Sequence, residues 1–152
     1  PQRGTVFSVS VPLARQADPE VLAAAEPAAA SSQTFRVLCI DNEDSILLGM
    51  HSLLSRWGMQ VWTARNQQEC AQLLDEGMAP QLALVDYHLD EGETGTALMI
   101  WLRQREQLPG VIISADARSE LIAEIHAAGL DYLSKPVKPA ALRALLNKHL
   151  TR

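Results

Sequence analysis

The segment Leu82-Ala-Leu-Val-Asp86 is an apolar run that ends in an acid. An unbroken apolar run of this length is typical of a strand that is buried on both faces of a sheet. The arrangement recurs along the chain, with Asp41 after Arg36–Ile40, Ser114 after 111–113 and Lys135 after 132–134. We therefore predict a buried sheet whose strands lead into polar residues.

Helical periodicity fills the segments between these strands. Apolar residues at helical spacing over 46–57 predict a first helix, for which Asp44 or Ser45 is the expected N-cap. Asn66 and Glu69 form a capping-box-like start to a second helix. A further strand is predicted at Gln60–Ala64, and further helices around 97–103, 119–128 and 139–150. Repeated strand–helix units with short connections predict an α/β fold, in which helices cover both faces of a parallel sheet.

Composition and charge exclude several functions. The 152 residues carry a formal net charge of -5 without any run of Lys or Arg, so we expect no nucleic-acid partner. No apolar stretch approaches the roughly 20 residues of a membrane span, so we expect no direct membrane contact. Cys39 and Cys70 lack CxxC spacing and are predicted to be reduced, packed thiols of a cytoplasmic protein.

The polar residues that follow the strands suggest a phosphoryl-transfer site. In sheets of this kind, ligands bind beyond the carboxyl ends of the strands, so these side chains should converge there. Asp86 can act as the nucleophile, since a carboxylate can form an aspartyl-phosphate. Asp41 and Asp86 can hold Mg²⁺, while Ser114 and Lys135 can bind phosphoryl oxygens. We expect the Lys135 amine to lie within contact range of the Asp86 carboxylate.

Four segments, in this order, resemble the signature blocks of two-component receiver domains. They are Val37-Leu-Cys-Ile-Asp-Asn-Glu-Asp44, Leu84-Val-Asp-Tyr-His-Leu89, Val111-Ile-Ile-Ser-Ala115 and Asp131-Tyr-Leu-Ser-Lys-Pro136. The resemblance covers about residues 35 to 150. It implies a doubly wound, flavodoxin-like sheet of five parallel strands in the order 2-1-3-4-5.

The resemblance also implies residue roles and partners. Asp86 matches the phosphoacceptor, Asp41 the acidic pocket, Ser114 and Tyr132 the switch residues, Lys135 the phosphate-sensing lysine, and the backbone carbonyl of His88 a metal ligand. The Lys135–Pro136 bond resembles one that is cis in the family. The implied phosphodonor is a histidine kinase domain, in this chain or another, or a histidine phosphotransfer protein.

One position departs from the family pattern. Receivers usually carry two adjacent acids after the first strand, whereas this chain has Asp41 followed by Asn42. An amide lowers the negative charge around a bound ion, so we expect weaker Mg²⁺ binding. Asn42 itself or Glu43 is the candidate for the missing ligand.

Residues 1 to about 34 differ from the rest. Gly4–Pro12 alternates like a strand and resembles the closing strand of the ATP-binding domain of histidine kinases, so residues 1–13 are predicted to be its remnant. Residues 14–34, rich in Ala and Pro, are predicted to be a linker, and 35–152 the receiver. Because the chain begins with Pro1 rather than Met, we expect a fragment of a longer protein. The kinase-like strand and the linker before the receiver predict the C-terminal receiver of a hybrid sensor histidine kinase, whose parent protein can be membrane-anchored. Since the chain ends soon after the last predicted helix, we expect no DNA-binding output domain.

Two other functions stay open at this point. A phosphatase with an aspartyl nucleophile, similar to the haloacid-dehalogenase-like enzymes, would carry a second Asp where this chain has His88. A docking domain that needs no phosphate would keep the fold alone, and Asn42 favours this alternative. The sequence leaves open whether the domain dephosphorylates itself and whether two copies form a homodimer.

Overall fold

The computed structural model describes residues 34–151, and the predictions for residues 1–33 lie outside this range. The strands are β1 (Arg36–Ile40), β2 (Gln60–Ala64), β3 (Leu82–Asp86), β4 (Gly110–Ser114) and β5 (Asp131–Ser134). The helices are α1 (Asp44–Arg56), α2 (Gln67–Asp75), α3 (Gly95–Glu106), α4 (Ser119–Ala127) and α5 (Pro139–Leu150), and a short 3₁₀ turn covers Asp90–Gly92. None of the helices in the described range is long and apolar enough to cross a bilayer.

The five strands form one parallel sheet in the order β2-β1-β3-β4-β5, which confirms the predicted fold class. In the register of the central strands, Ile40 pairs with Val85 and Asp86 with Ile113. At the far side, Ser114 pairs with Ser134. The carboxyl ends of four strands therefore reach the same edge of the sheet.

The core explains why the central strands are apolar throughout. In β1, Leu38 and Ile40 pack into the apolar layer on one face of the sheet, whereas Val37 and Cys39 pack into the layer on the other. Successive side chains of a strand point to opposite faces, so a strand covered by helices on both sides has no solvent-facing position. Every residue of β3 is accordingly buried.

Of the two predicted helix N-caps, the one for α1 is wrong and the one for α2 is confirmed. The N-cap of α1 is Glu43, not Asp44 or Ser45, and its side chain makes no capping bond. Asp44 lies instead in the first turn, where its charge interacts favourably with the helix dipole. For α2, Asn66 caps as predicted by accepting a hydrogen bond from the Glu69 amide, while the Glu69 carboxylate accepts one from the amide of Arg65.

The start of α3 packs closely against the end of β3. The Gly95 amide donates a 2.8 Å hydrogen bond to the carbonyl of Tyr87, and a β-carbon on Gly95 would overlap the carbonyl oxygen of Asp86. This contact is with backbone, which cannot swing away as a side chain can. A glycine is therefore required for the close approach that fixes the end of β3.

We predict that Gly95→Ala lowers the free energy of unfolding by about 1–3 kcal/mol through this overlap. Gly49→Ala is the matched control, because Gly49 lies inside α1 with open space around its α-carbon. There the change should stabilise by about 0.5–1 kcal/mol. Urea denaturation measures the change in the free energy of unfolding for both variants. Equal effects of the two substitutions would contradict the close approach.

Candidate functional site

Four polar side chains lie at the carboxyl edge of the sheet. Asp41 directly follows β1, Asp86 ends β3, Ser114 ends β4 and Lys135 directly follows β5. Asp41 and Asp86 are each 5% exposed and Ser114 is 0% exposed. Among the residues whose burial the structure describes, these three are the only polar or charged ones that are buried. Buried carboxylates are costly unless they are paired, so their partners define the site.

Lys135 neutralises part of this buried charge. Its ammonium nitrogen lies 2.8 Å from Oδ1 of Asp86 and 3.2 Å from Oδ2 of Asp41, so the contact expected from the sequence is present. The peptide bond from Lys135 to Pro136 is cis, as the resemblance implies. With two carboxylates sharing one ammonium, the three ionised groups retain a net charge of about -1.

The ion pairs also act on Lys135 itself. Burial lowers the pKa of its ammonium, but the hydrogen bond and charge of Asp86, with the charge of Asp41, outweigh burial and raise the pKa above its ordinary value. A raised folded pKa stabilises the fold fully below the unfolded lysine pKa of about 10.4. The stabilisation is lost as the pH rises through the folded value.

Backbone amides hold the remaining carboxylate oxygens. The amide of His88 donates to Oδ2 of Asp86 at 3.1 Å, and the amide of Glu43 donates to Oδ1 of Asp41 at 2.9 Å. Each carboxylate therefore has one oxygen on the lysine and the other on the loop that follows its own strand. This arrangement fixes the orientation of both acids.

Ser114 lies at the same edge but makes no hydrogen bond to Asp86. Its Oγ accepts from the amide of Asp116 at 3.1 Å. The hydroxyl of Tyr132 donates to the carbonyls of Asp116 at 3.1 Å and Ser114 at 3.3 Å. Residues 114 and 132 are thus linked through the backbone of residue 116.

Asp116 was missed by the sequence analysis. Its carboxylate accepts a two-pronged hydrogen bond from Arg118, with the closest nitrogen at 2.6 Å. The hydrogen bonds from Arg118, opposed by slight desolvation, lower the pKa of Asp116 to about 2. The available signal was the Ser-Ala-Asp-Ala-Arg spacing over 114–118, which places an acid and a base two residues apart just beyond the switch hydroxyl.

The carboxylates suit Mg²⁺ in their chemistry and charge. Mg²⁺ is usually bound by one or two carboxylates plus waters and phosphate oxygens, and Asp41 and Asp86 supply two carboxylates. Within residues 34–151, no group of three or more His, Cys, Asp or Glu side chains is arranged as a metal cage. The two carboxylates fit an ion of this kind, and the backbone carbonyl of His88 stays a predicted further ligand.

The two candidates for the missing acid have other neighbours. The Asn42 side-chain nitrogen donates to Oδ1 of Asp90 at 2.7 Å. Glu43 is exposed, and its amide is used by Asp41. Neither side chain contacts Asp86 or Lys135 by hydrogen bond or ion pair in the described part of the chain.

A mostly apolar groove opens beside the acidic pair. Its volume is about 310 Å³, and it runs between α1 and the loop that follows β5. Its lining includes Asp41, Lys135, Ile46, Met50, Leu53 and Val137. A larger cavity of about 740 Å³ lies at the start of α2, beside Asp90, and none of the four site side chains lines it.

A parallel sheet in the order 2-1-3-4-5, with a lysine bridging two buried aspartates at its carboxyl edge, defines the receiver class of signalling domains. Residues 37–147 match the family model described as the response regulator receiver domain. The match covers well over half of the chain, and the chain belongs to this family.

Relatives and solved structures agree with this assignment. The chain is 33% identical over 118 residues to the KDP operon transcriptional regulatory protein KdpE of Escherichia coli, which covers 76% of this chain and 51% of that protein. The chain thus spans about half the length of this curated relative.

Two solved structures are similar in fold. The signal receiver domain of an HD domain-containing protein from Pseudomonas fluorescens Pf-5 has a TM-score of 0.70 and 25% identity, covering 82% of this chain and 93% of that one. Vibrio cholerae chemotaxis protein CheY4 has a TM-score of 0.67 and 23% identity, covering 76% and 98%. The second likeness shows the fold alone.

We predict that Lys135→Met lowers the free energy of unfolding by about 1–3 kcal/mol, because two buried carboxylates lose their common partner. The loss should be constant from pH 6 to pH 9, since the ammonium stays charged throughout this range. Lys138→Met, at an exposed lysine near the same loop, should stay within about 0.5 kcal/mol of the parent. Urea denaturation at three pH values is the measurement, and a loss that vanishes near neutral pH would contradict the charged pairing.

Proposed function

We propose that this domain accepts a phosphoryl group on Asp86 from a phosphorylated histidine, with Mg²⁺, and changes conformation as a result. The donor is a histidine kinase domain or a histidine phosphotransfer protein. The observation that supports this most strongly is the buried Asp86 carboxylate, held in place by a lysine and a backbone amide at the carboxyl edge of the sheet.

The transfer itself is a displacement at phosphorus. An oxygen of Asp86 forms a bond to the phosphorus while the phosphorus–nitrogen bond of the donor breaks, and the imidazole, already protonated on its other ring nitrogen, takes the bonding electron pair and leaves as the neutral base. Lys135 is placed to bind a phosphoryl oxygen, and Ser114 to donate a hydrogen bond to another. Mg²⁺, when bound by Asp41 and Asp86, would neutralise phosphoryl charge.

The groove beside α1 suits the approach of the donor. It combines an apolar lining, including Ile46 and Met50, with an end formed by Asp41 and Lys135. A helix carrying the donor histidine can bury apolar side chains there while its imidazole points at the acidic pair. Lys135 both lines the groove and contacts the acceptor Asp86, and this favours a protein donor.

The conformational response starts at Ser114. When its hydroxyl turns to the new phosphoryl group, the Asp116 amide loses its present acceptor. Tyr132 bonds the carbonyl of the same residue, so the loop and the aromatic ring move together. The added charge thus shifts the population between two arrangements of the loop after β4.

We further propose that the domain is the receiver of a hybrid sensor histidine kinase and works in the cytoplasm. The likeness of Gly4–Pro12 to a kinase strand and the Ala-rich stretch over 23–30 support this. Sequencing the gene on both sides tests it. A histidine box and glycine-rich ATP lid upstream would support it, whereas a DNA-binding domain downstream would place the protein with transcriptional regulators such as its curated relative.

A second candidate function is docking without phosphorylation, and the position of Asn42 favours it. Its amide nitrogen is engaged with Asp90, and an amide adds no negative charge for an ion. If this function is correct, partners bind equally well with and without phosphate, and millimolar Mg²⁺ fails to shift the resonances of Asp41 and Asp86. Magnesium-dependent shifts at both residues would remove this candidate.

We predict that acetyl phosphate with Mg²⁺ adds the mass of one phosphoryl group to the parent domain but not to the Asp86→Asn variant, which lacks the nucleophile. Asp44→Asn is the matched control, since Asp44 is an exposed acid at the start of α1. Intact-protein mass spectrometry detects the label. Equal labelling of Asp86→Asn and the parent would remove Asp86 from this role.

We also predict that Ser114→Ala slows phosphate uptake by roughly a hundredfold, because one donor to the transferring group is lost. Ser134→Ala is the control, since Ser134 is the exposed serine paired with Ser114 in the sheet. Rates of labelling are compared under conditions where urea denaturation shows both variants folded. A Ser114→Ala domain that is labelled at the parent's rate would exclude this hydroxyl.

A further inference from the structure

The amide at position 42 connects two loops on either side of the acceptor. Asn42 belongs to the β1–α1 loop (residues 41–43), and Asp90 belongs to the β3–α3 loop (residues 87–94). Their 2.7 Å hydrogen bond joins residues 48 positions apart in the chain. Among the side chains that the structure describes in these loops, it is the hydrogen bond that links the two.

Each loop has hydrogen bonds of its own that hold its backbone. In the first loop, the amide of Glu43 bonds the Asp41 carboxylate. In the second loop, a bridge pairs His88 with Thr94, and the amide of Leu89 donates to the carbonyl of residue 93. A bond between two such loops therefore restrains the backbone around both buried acids.

The chemistry of the pair requires an amide on one side. A carboxylate accepts hydrogen bonds but cannot donate, so an Asp at position 42 would set two negative charges against each other at this distance. Asn42 donates, and Asp90 accepts. Asn42, which stands where the family pattern has a second acid, thus has a hydrogen-bond acceptor in Asp90 of the other loop.

We propose that Asn42 and Asp90 form a clasp that holds the loop after Asp41 to the loop after Asp86 without a metal ion, and that Asp90 is a positioning residue for the site. A pair of adjacent acids would join the loops only through a bound ion. The clasp holds the two loops in place in the absence of an ion. In exchange, position 42 carries an amide where the family pattern has a second acid. Its role in phosphoryl transfer rests on the function proposed above, whereas the clasp itself does not.

For the Asn42→Asp variant, the clasp predicts looser loops in the absence of Mg²⁺ and tighter binding of Mg²⁺ when the ion is added. Without Mg²⁺, the broken bond should speed amide hydrogen exchange in residues 41–43 and 87–94 by about fivefold, the equivalent of one hydrogen bond of about 1 kcal/mol. With Mg²⁺, the freed acid should tighten ion binding at least threefold, because it adds a negative charge beside the ion. Loops that loosen without any gain in Mg²⁺ affinity would overturn the proposal.

A reversed pair supplies the decisive control. In the Asn42→Asp, Asp90→Asn double variant, the new amide at 90 can donate to the new carboxylate at 42. Metal-free exchange in both loops should then return to within twofold of the parent. A double variant that exchanges as fast as Asn42→Asp would overturn the clasp. Gln104→Glu, at an exposed position near the end of α3, adds the same single negative charge as Asn42→Asp and should leave both readouts unchanged.

These measurements separate the clasp from phosphorylation. Hydrogen exchange by NMR and Mg²⁺ titration by calorimetry involve no phosphate and no Asp86 label. Failure of Asp86 labelling would therefore overturn the proposed function and leave the rescue by the reversed pair intact. Failure of the rescue would overturn the clasp while leaving Asp86 labelling intact.

Discussion

The ammonium of Lys135 lies between two buried carboxylates, and the carboxyl edge of the sheet is built around that contact. Asp41 and Asp86 end or follow adjacent strands, so the parallel register brings them together whatever their charge. Two unpaired buried carboxylates would repel each other and lack hydration, a cost that exceeds most single contributions to stability. One lysine at the end of β5 relieves part of this cost and leaves a net negative charge that suits a divalent cation.

Several features of the fold fix the positions of the two carboxylates and the ammonium. Apolar strands form the buried centre of the sheet, and side chains from the helices pack against both of its faces. Gly95 allows α3 to begin directly against the carbonyl of Asp86. The backbone amides of His88 and Glu43 then orient the two acids, so the site is rigid where it holds charge. Around Ser114, hydrogen bonds connect the hydroxyl of residue 114, the backbone of residue 116 and the hydroxyl of Tyr132.

The sequence was sufficient for the strands and for the meeting of Asp41, Asp86 and Lys135 at one edge of the sheet, because both follow from local patterns, while the strand order came from the family resemblance. Apolar runs mark the strands, and the residue after each run marks the edge where ligands bind. What it missed depends on tertiary contacts. The partner of Asn42 lies 48 positions away on another loop, and Asp116 contributes through its backbone. The N-cap of α1 was placed one or two residues late, because the backbone at Glu43 is held by Asp41 rather than by a capping side chain.

A crystal structure of residues 34–151 soaked with Mg²⁺ and beryllium fluoride, an analogue of a phosphoryl group, examines the shared ammonium directly. The analogue should sit on Asp86, with the Lys135 amine within about 3 Å of one of its fluorines and Ser114 Oγ within hydrogen-bond distance of another. An adduct on a different side chain, or a Lys135 amine that stays more than about 4 Å from the adduct, would contradict this view of the site.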